Sequence, residues 1–152
     1  NIIENFDLKN EKFIEDQIKK IMPDAFIFHA GWAENYGNDS YSFEQGFAVN
    51  VLPLQNIYRT LDKICKGNVI ITGSSMEYSD SLSGNCEDDF CDPSTSYGLI
   101  KLMETQFAKL LSKKYNIKTR IIRPYIPYGN LDNPQKLIPQ VISSFKASAK
   151  LI

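Results

Sequence analysis

The stretch Asn68-Val69-Ile70-Ile71-Thr72-Gly73-Ser74-Ser75 decides the fold. Five residues dominated by β-branched side chains run without a break into a small, hydroxyl-rich turn. That composition reads as a strand buried in a sheet, ending where the backbone is left uncovered. Upstream, Val51, Leu54, Ile57, Tyr58, Leu61 and Ile64 recur at helical spacing, with Pro53 near the first turn, so a helix over about 47–65 is predicted. Lys66-Gly67 separates that helix from the strand.

The same alternation extends in both directions. Asn10 is a suitable N-cap for a helix from about Glu11 to Met22, with Phe13, Ile14, Ile18 and Ile21 on one side and Pro23 ending it. Ala25-Phe26-Ile27-Phe28-His29 reads as a second strand, buried on both faces, and residues 32–46 read as a loop. Beyond a polar loop over 79–96 comes a long helix from Ser96 to Tyr115, a strand from Lys118 to Ile122, and an amphipathic helix over 137–148 with Leu137, Ile138, Val141, Ile142 and Phe145 on its apolar side. Helices and strands in alternation predict an α/β fold, a Rossmann-like doubly wound parallel sheet. Ligands of such sheets bind beyond the carboxyl ends of the strands. Here Ala30-Gly31, Gly73-Ser74-Ser75 and the segment from Arg123 to Gly129 each follow a strand directly.

Composition narrows the function. The 152 residues are 43% hydrophobic and 23% charged with a net charge of −1, which suits one globular domain and leaves no basic face for nucleic acid. Cys65, Cys86 and Cys91 have no zinc-type spacing and His29 is the single histidine, so no metal site is expected. There is no apolar run of bilayer length and no signal segment, and cysteine usage fits a reducing cytoplasm. The chain begins without methionine and stops inside an apparent helix, which reads as a piece of a longer protein.

Chemistry concentrates in Pro93-Ser94-Thr95-Ser96-Tyr97-Gly98-Leu99-Ile100-Lys101. Tyr97 and Lys101 stand four residues apart at the start of a helix, one turn from each other on one face. An unperturbed phenol, with a pKa of about 10, is a poor base near neutrality unless a nearby cation favours the phenolate. The bland alternatives are an exposed tyrosine beside a solvated lysine, a core role for His29, and a solvated loop carboxylate at Glu77.

Taken in order, several motifs resemble the extended short-chain dehydrogenase/reductases, the NAD-dependent epimerase/dehydratase family that modifies nucleotide sugars. They are Phe6-Asp7-Leu8, Pro23-Asp24 with Ala30-Gly31, Asn50-Val51, Ser74-Ser75-Met76-Glu77, Tyr97 through Lys101, and Arg123-Pro124 with Tyr128-Gly129. The resemblance implies Tyr97 as acid/base, and Lys101 as the group that holds the nicotinamide ribose and lowers the tyrosine pKa. It also implies a third catalytic hydroxyl. A gapless match selects Ser75, and counting back from Tyr78 selects Ser74; Ser75 is the first choice.

The resemblance further assigns Asp7 and Leu8 to an adenine pocket, Ala30 and Gly31 to a close approach of the dinucleotide, Asn50 and Thr72 to the cofactor, and Pro124 and Tyr125 to the nicotinamide and substrate. The cofactor implied is NAD or NADP, and the partner a nucleotide sugar, with neither nucleic acid nor membrane and with a homodimer as a further expectation. The glycine-rich GxxGxxG turn falls outside these residues. Residues 1–152 are therefore expected to form a partial NAD(P)-binding domain without its N-terminal β-α-β portion and most of its substrate domain, the start of which is expected near 124–152. Such a stretch alone is expected to bind NAD poorly. Ile126 replaces a common substrate-binding asparagine, and Met76 stands where 4,6-dehydratases keep an acidic or hydroxyl residue. Epimerase is the first expectation, keto-reductase the second, with a 4,6-dehydratase or a non-catalytic nucleotide-binding protein as the alternatives.

Overall fold

A computed structural model describes residues 7–64, 67–79, 84–129 and 131–148. The stretch before Asp7 and Cys65 lie outside the described residues. Helix α1 spans Glu11–Ile21. The Asn10 side chain accepts from Phe13 N at 3.0 Å, and Met22, in the left-handed region at φ 51°, closes the helix by donating its N–H to Ile18 O. Strand β1 is Phe26–Phe28, β2 is Asn68–Thr72 and β3 is Lys118–Ile122. They form one parallel sheet in the order β1-β2-β3, with Phe28 level with Ile71 and Ile71 level with Ile121. All three strands therefore end at the same edge.

The remaining helices connect the strands. Helix α2, Phe43–Gly46, runs through a wider π turn over Phe47–Val51 into α3, Pro53–Lys63. A 3₁₀ turn, Ser75–Glu77, follows β2 directly. Helix α4, Ser96–Tyr115, begins where the Thr95 hydroxyl accepts from Gly98 N, and ends on Asn116 at φ 52°. Helix α5 is Leu137–Ser148. No helix among the described residues is long and apolar enough to cross a membrane.

The core lies between one face of the sheet and three helices. Ile14 and Ile18 of α1, Leu54, Ile57 and Leu61 of α3, and Ala108 and Leu111 of α4 pack on Phe28, Val69 and Ile71. The hydroxyl groups of Tyr58 and Thr119, 2.8 Å apart, tie α3 to β3 inside this layer.

Three expectations change, and one helix lies uncovered. Strand β1 is not covered on both faces: Phe28 is buried while Ile27 is 63% exposed, because the three packed helices lie on one side of the sheet. The helix expected from residue 47 begins at Phe43, inside the expected loop, because Ser42 caps it by accepting from Gln45 N. The apolar side of α5 is unpacked, with no residue of that helix buried. His29 is exposed at the end of β1, its Nδ1 3.0 Å from Thr72 Oγ1, and is not a core residue.

Candidate active site

A cavity of about 530 Å³ opens at the carboxyl edge of the sheet. Gly31, Asn50, Thr72, Ser75, Tyr97, Lys101 and Pro124 all line it, so residues far apart in sequence meet there. Asp7, Leu8, Ala30 and Tyr125 do not line it. Leu8 packs into the core, Asp7 accepts from Lys9 N at the entrance to α1, and Ala30 is exposed beside the rim. The Tyr125 hydroxyl donates to Asn85 and faces a separate cleft of about 900 Å³. That larger cleft contains none of the seven residues that line the first cavity.

One wall is built from the segment after β1. Asn50 is buried in the π turn, where its Oδ1 accepts from Trp32 N at 2.6 Å and its Nδ2 donates to Trp32 O. The two bonds hold the loop after Gly31 against the helix. A Cβ at Gly31 would come within 3.1 Å of Asn50 Oδ1, so the bare backbone there is part of the cavity's shape. Tyr36 and Tyr41 stand against Tyr97, with ring centroids 5.4 and 5.6 Å away, and Tyr41 meets it edge-on.

The opposite wall is the turn after β2. Ser74 Oγ accepts from Met76 N, and Ser74 N donates to Glu77 Oε1 at 2.9 Å. Glu77 is fully buried, and its Oε2 accepts from Arg123 Nε at 2.8 Å. Arg123 Nη1 also donates to Tyr78 Oη and Glu87 O. The loops after β2 and β3 are thus joined by a buried ion pair. Glu77, weighed above as a solvated loop carboxylate, is instead buried and paired with Arg123.

Tyr97 and Lys101 enter from the first turns of α4. Gly98 lets that helix approach, since a Cβ there would collide with the Met76 carbonyl. Of the two candidate serines, Ser74 is the one whose hydroxyl acts on the Tyr97 phenol, not the first-choice Ser75. Lys101 Nζ donates to Glu104 Oε2 at 2.7 Å, with both side chains almost fully buried. The Tyr97 pKa is raised, by burial first and then by the negative charge of Glu104, while the Ser74 hydroxyl opposes the rise. This differs from the expectation that Lys101 lowers it, because the ammonium is paired with a carboxylate. Burial likewise pushes Tyr41 up to about 12 and Glu104 up to about 7, the latter against the attraction of Lys101.

Glu104 escaped the sequence reading because a carboxylate three residues from a lysine reads as a solvated helical pair. A signal was present, since Glu104 falls in the stripe of Ile100, Phe107, Ala108 and Leu111, where a charge is costly without a partner.

The family profile that matches residues 2–152 is the NAD dependent epimerase/dehydratase family. The chain belongs to this family. Over 93 residues it is 30% identical to dTDP-4-dehydro-6-deoxyglucose reductase of Escherichia coli, a match covering 59% of this chain and 28% of that protein. A solved structure of a double mutant of DesIV, a dTDP-glucose 4,6-dehydratase of Streptomyces venezuelae, with NAD and DAU bound, superposes with a TM-score of 0.75 at 20% identity, covering 94% of this chain and 44% of that one. The UDP-glucose 4-epimerase of Thermus thermophilus in complex with NAD superposes at 0.71 with 15% identity, covering 91% and 45%. The chain spans less than half the length of each of these relatives. The structural matches establish the Rossmann-like α/β fold.

Proposed function

We propose that this chain carries the proton-transfer half of an NAD(P)-dependent nucleotide-sugar epimerase or keto-reductase. The observation that supports it most is that Tyr97 and Lys101 line one cavity at the strand ends together with Ser74 and Ser75. Family membership supports the reaction class.

The residues present fit the nicotinamide half of a dinucleotide. The bare backbone at Gly31, the fixed amide of Asn50, the Thr72 hydroxyl and Pro124 surround the cavity at the strand ends. These four residues and Lys101 would hold that half, and the bound cofactor would supply or accept hydride. Tyr97 keeps its proton at neutral pH, since burial and Glu104 both disfavour the phenolate. It therefore acts first as an acid, donating from Oη to a sugar oxygen as that oxygen gains charge, a form of catalysis worth about 10² to 10⁴ in rate. Ser74, whose hydroxyl favours the phenolate, stabilises the charge left there. That effect on the phenol makes Ser74 a better fit for the third hydroxyl than Ser75. A tyrosine held as the acid suits keto reduction and the reducing step of an epimerase. Met76 places no acidic or hydroxyl group at the cavity wall, which is less suited to dehydration.

Incubating the full-length protein with nucleotide sugars and their 4-keto derivatives, while following nicotinamide absorbance and product stereochemistry, tests the reading. Turnover of a keto sugar with matching cofactor consumption, or inversion without net consumption, is expected. Binding of a nucleotide sugar with no chemistry on any substrate would refute it.

A further inference from the structure

We propose that Glu104 is a positioning residue of this site: its buried carboxylate anchors the Lys101 ammonium and sets how much of that positive charge reaches the Tyr97 hydroxyl. The inference rests on the reading of Tyr97 as the proton carrier, and concerns what governs its charge environment.

Tyr97, Lys101 and Glu104 lie at i, i+4 and i+7 on α4, so their side chains share one face over two turns. Lys101 lines the cavity, whereas Glu104 sits behind it with no exposed surface. Only one carboxylate oxygen is used: Oε2 accepts from Lys101 Nζ at 2.7 Å, and Oε1 is buried without a hydrogen-bond partner. An ionised carboxylate with one idle oxygen in an apolar layer is poorly compensated. That same oxygen is an open place for a proton.

The groups facing Glu104 can be named element by element. Lys101 and Tyr97 come from its own helix, Glu77 from the turn after β2, and Tyr41 from the loop before α2. Arg59 and Lys63 of α3 pair with Glu11 and Glu15 of α1. Lys101 is thus the cation that acts on Glu104, and Glu77 adds repulsion. With Glu104 ionised, the lysine charge is largely neutralised and the carboxylate opposes the phenolate. With Glu104 protonated, the ammonium is uncompensated and favours the phenolate. Burial places the change between these states near neutrality, at about 7.

The test labels tyrosine with ¹³C at Cζ in the full-length protein, assigns Tyr97 through the signal lost in Tyr97→Phe, and titrates from pH 5 to 9. The Tyr97 resonance is expected to show a step with a midpoint near 7, to lose it in Glu104→Gln, and to keep it at a moved midpoint in Glu104→Asp. A flat wild-type trace, or a step that survives in Glu104→Gln, overturns the proposal, since the latter assigns the step to another group. The wild-type trace and the Asp variant decide the matter if the Gln variant does not fold. All these readouts are independent of turnover: an active Tyr97→Phe enzyme would sink the acid/base reading and leave the Glu104 coupling standing.

Discussion

Replacing Arg123 with methionine removes the cation from Glu77 while keeping most of the aliphatic volume. The Arg123 side chain is 11% exposed and Glu77 is fully enclosed, with 2.8 Å between Nε and Oε2. Removing one partner of a buried pair leaves an uncompensated charge and typically costs about 3 to 5 kcal/mol. The loss here belongs toward the upper end, because Arg123 also donates to Tyr78 Oη at 2.6 Å and stacks on the Tyr78 ring, 4.8 Å from its centroid. Glu77→Gln alone costs less, about 1 to 3 kcal/mol, since the amide oxygen can still accept from Ser74 N or from Arg123. In the double variant the buried charge is gone, so its cost falls below the sum of the two by about 2 kcal/mol. Urea denaturation of the four proteins, with equal slopes, measures the cycle. Additivity within about 0.5 kcal/mol, or an Arg123→Met cost below about 1 kcal/mol, would refute the reasoning that this pair is buried and coupled.

Further outcomes follow from single positions. Gly98→Ala should destabilise by about 1 to 3 kcal/mol in the same denaturation assay, because the new Cβ meets the Met76 carbonyl; helix propensity alone predicts a gain of about 1 kcal/mol, so the sign decides. Ile126 sits at φ 33°, a left-handed conformation that a β-branched residue rarely adopts, so Ile126→Asn should raise stability by about 1 kcal/mol, read as a higher midpoint temperature. Glu104 has a folded pKa of about 7, above its ordinary 4.5, so its contribution is fully present below pH 4.5 and is lost as pH rises through 7. Stability of the wild type relative to Glu104→Gln should therefore fall by about 3 kcal/mol between pH 4.5 and 8, and a flat difference would contradict the burial of that carboxylate.

The sequence carried the alternation of helices and strands because each element keeps a clean period. Ser96–Tyr115 and Lys118–Ile122 stand as expected, since Thr95 and Asn116 cap the helix and β-branched residues fill the strand. It also placed Gly31, Asn50, Thr72, Ser75, Tyr97, Lys101 and Pro124 beside one cavity, because residues that follow parallel strands must meet at one edge. Burial on the second face of β1 was not legible, since an apolar run looks the same whether one face is covered or both. The choice between Ser74 and Ser75 was left open by the sequence. It depends on a 3₁₀ turn that Glu77 closes from below, with Arg123 reaching in from the loop after β3, 46 residues later. The Lys101–Glu104 pair was obscured for a related reason: spacing alone gives proximity, and burial gives it meaning.

Tyr97→Phe in the full-length protein tests the central claim most directly, because it removes one oxygen and leaves the ring against Tyr36 and Tyr41. With cofactor binding preserved, turnover of the nucleotide sugar that the enzyme accepts should fall by about 10² to 10⁴. Turnover within a few fold of wild type would contradict the account.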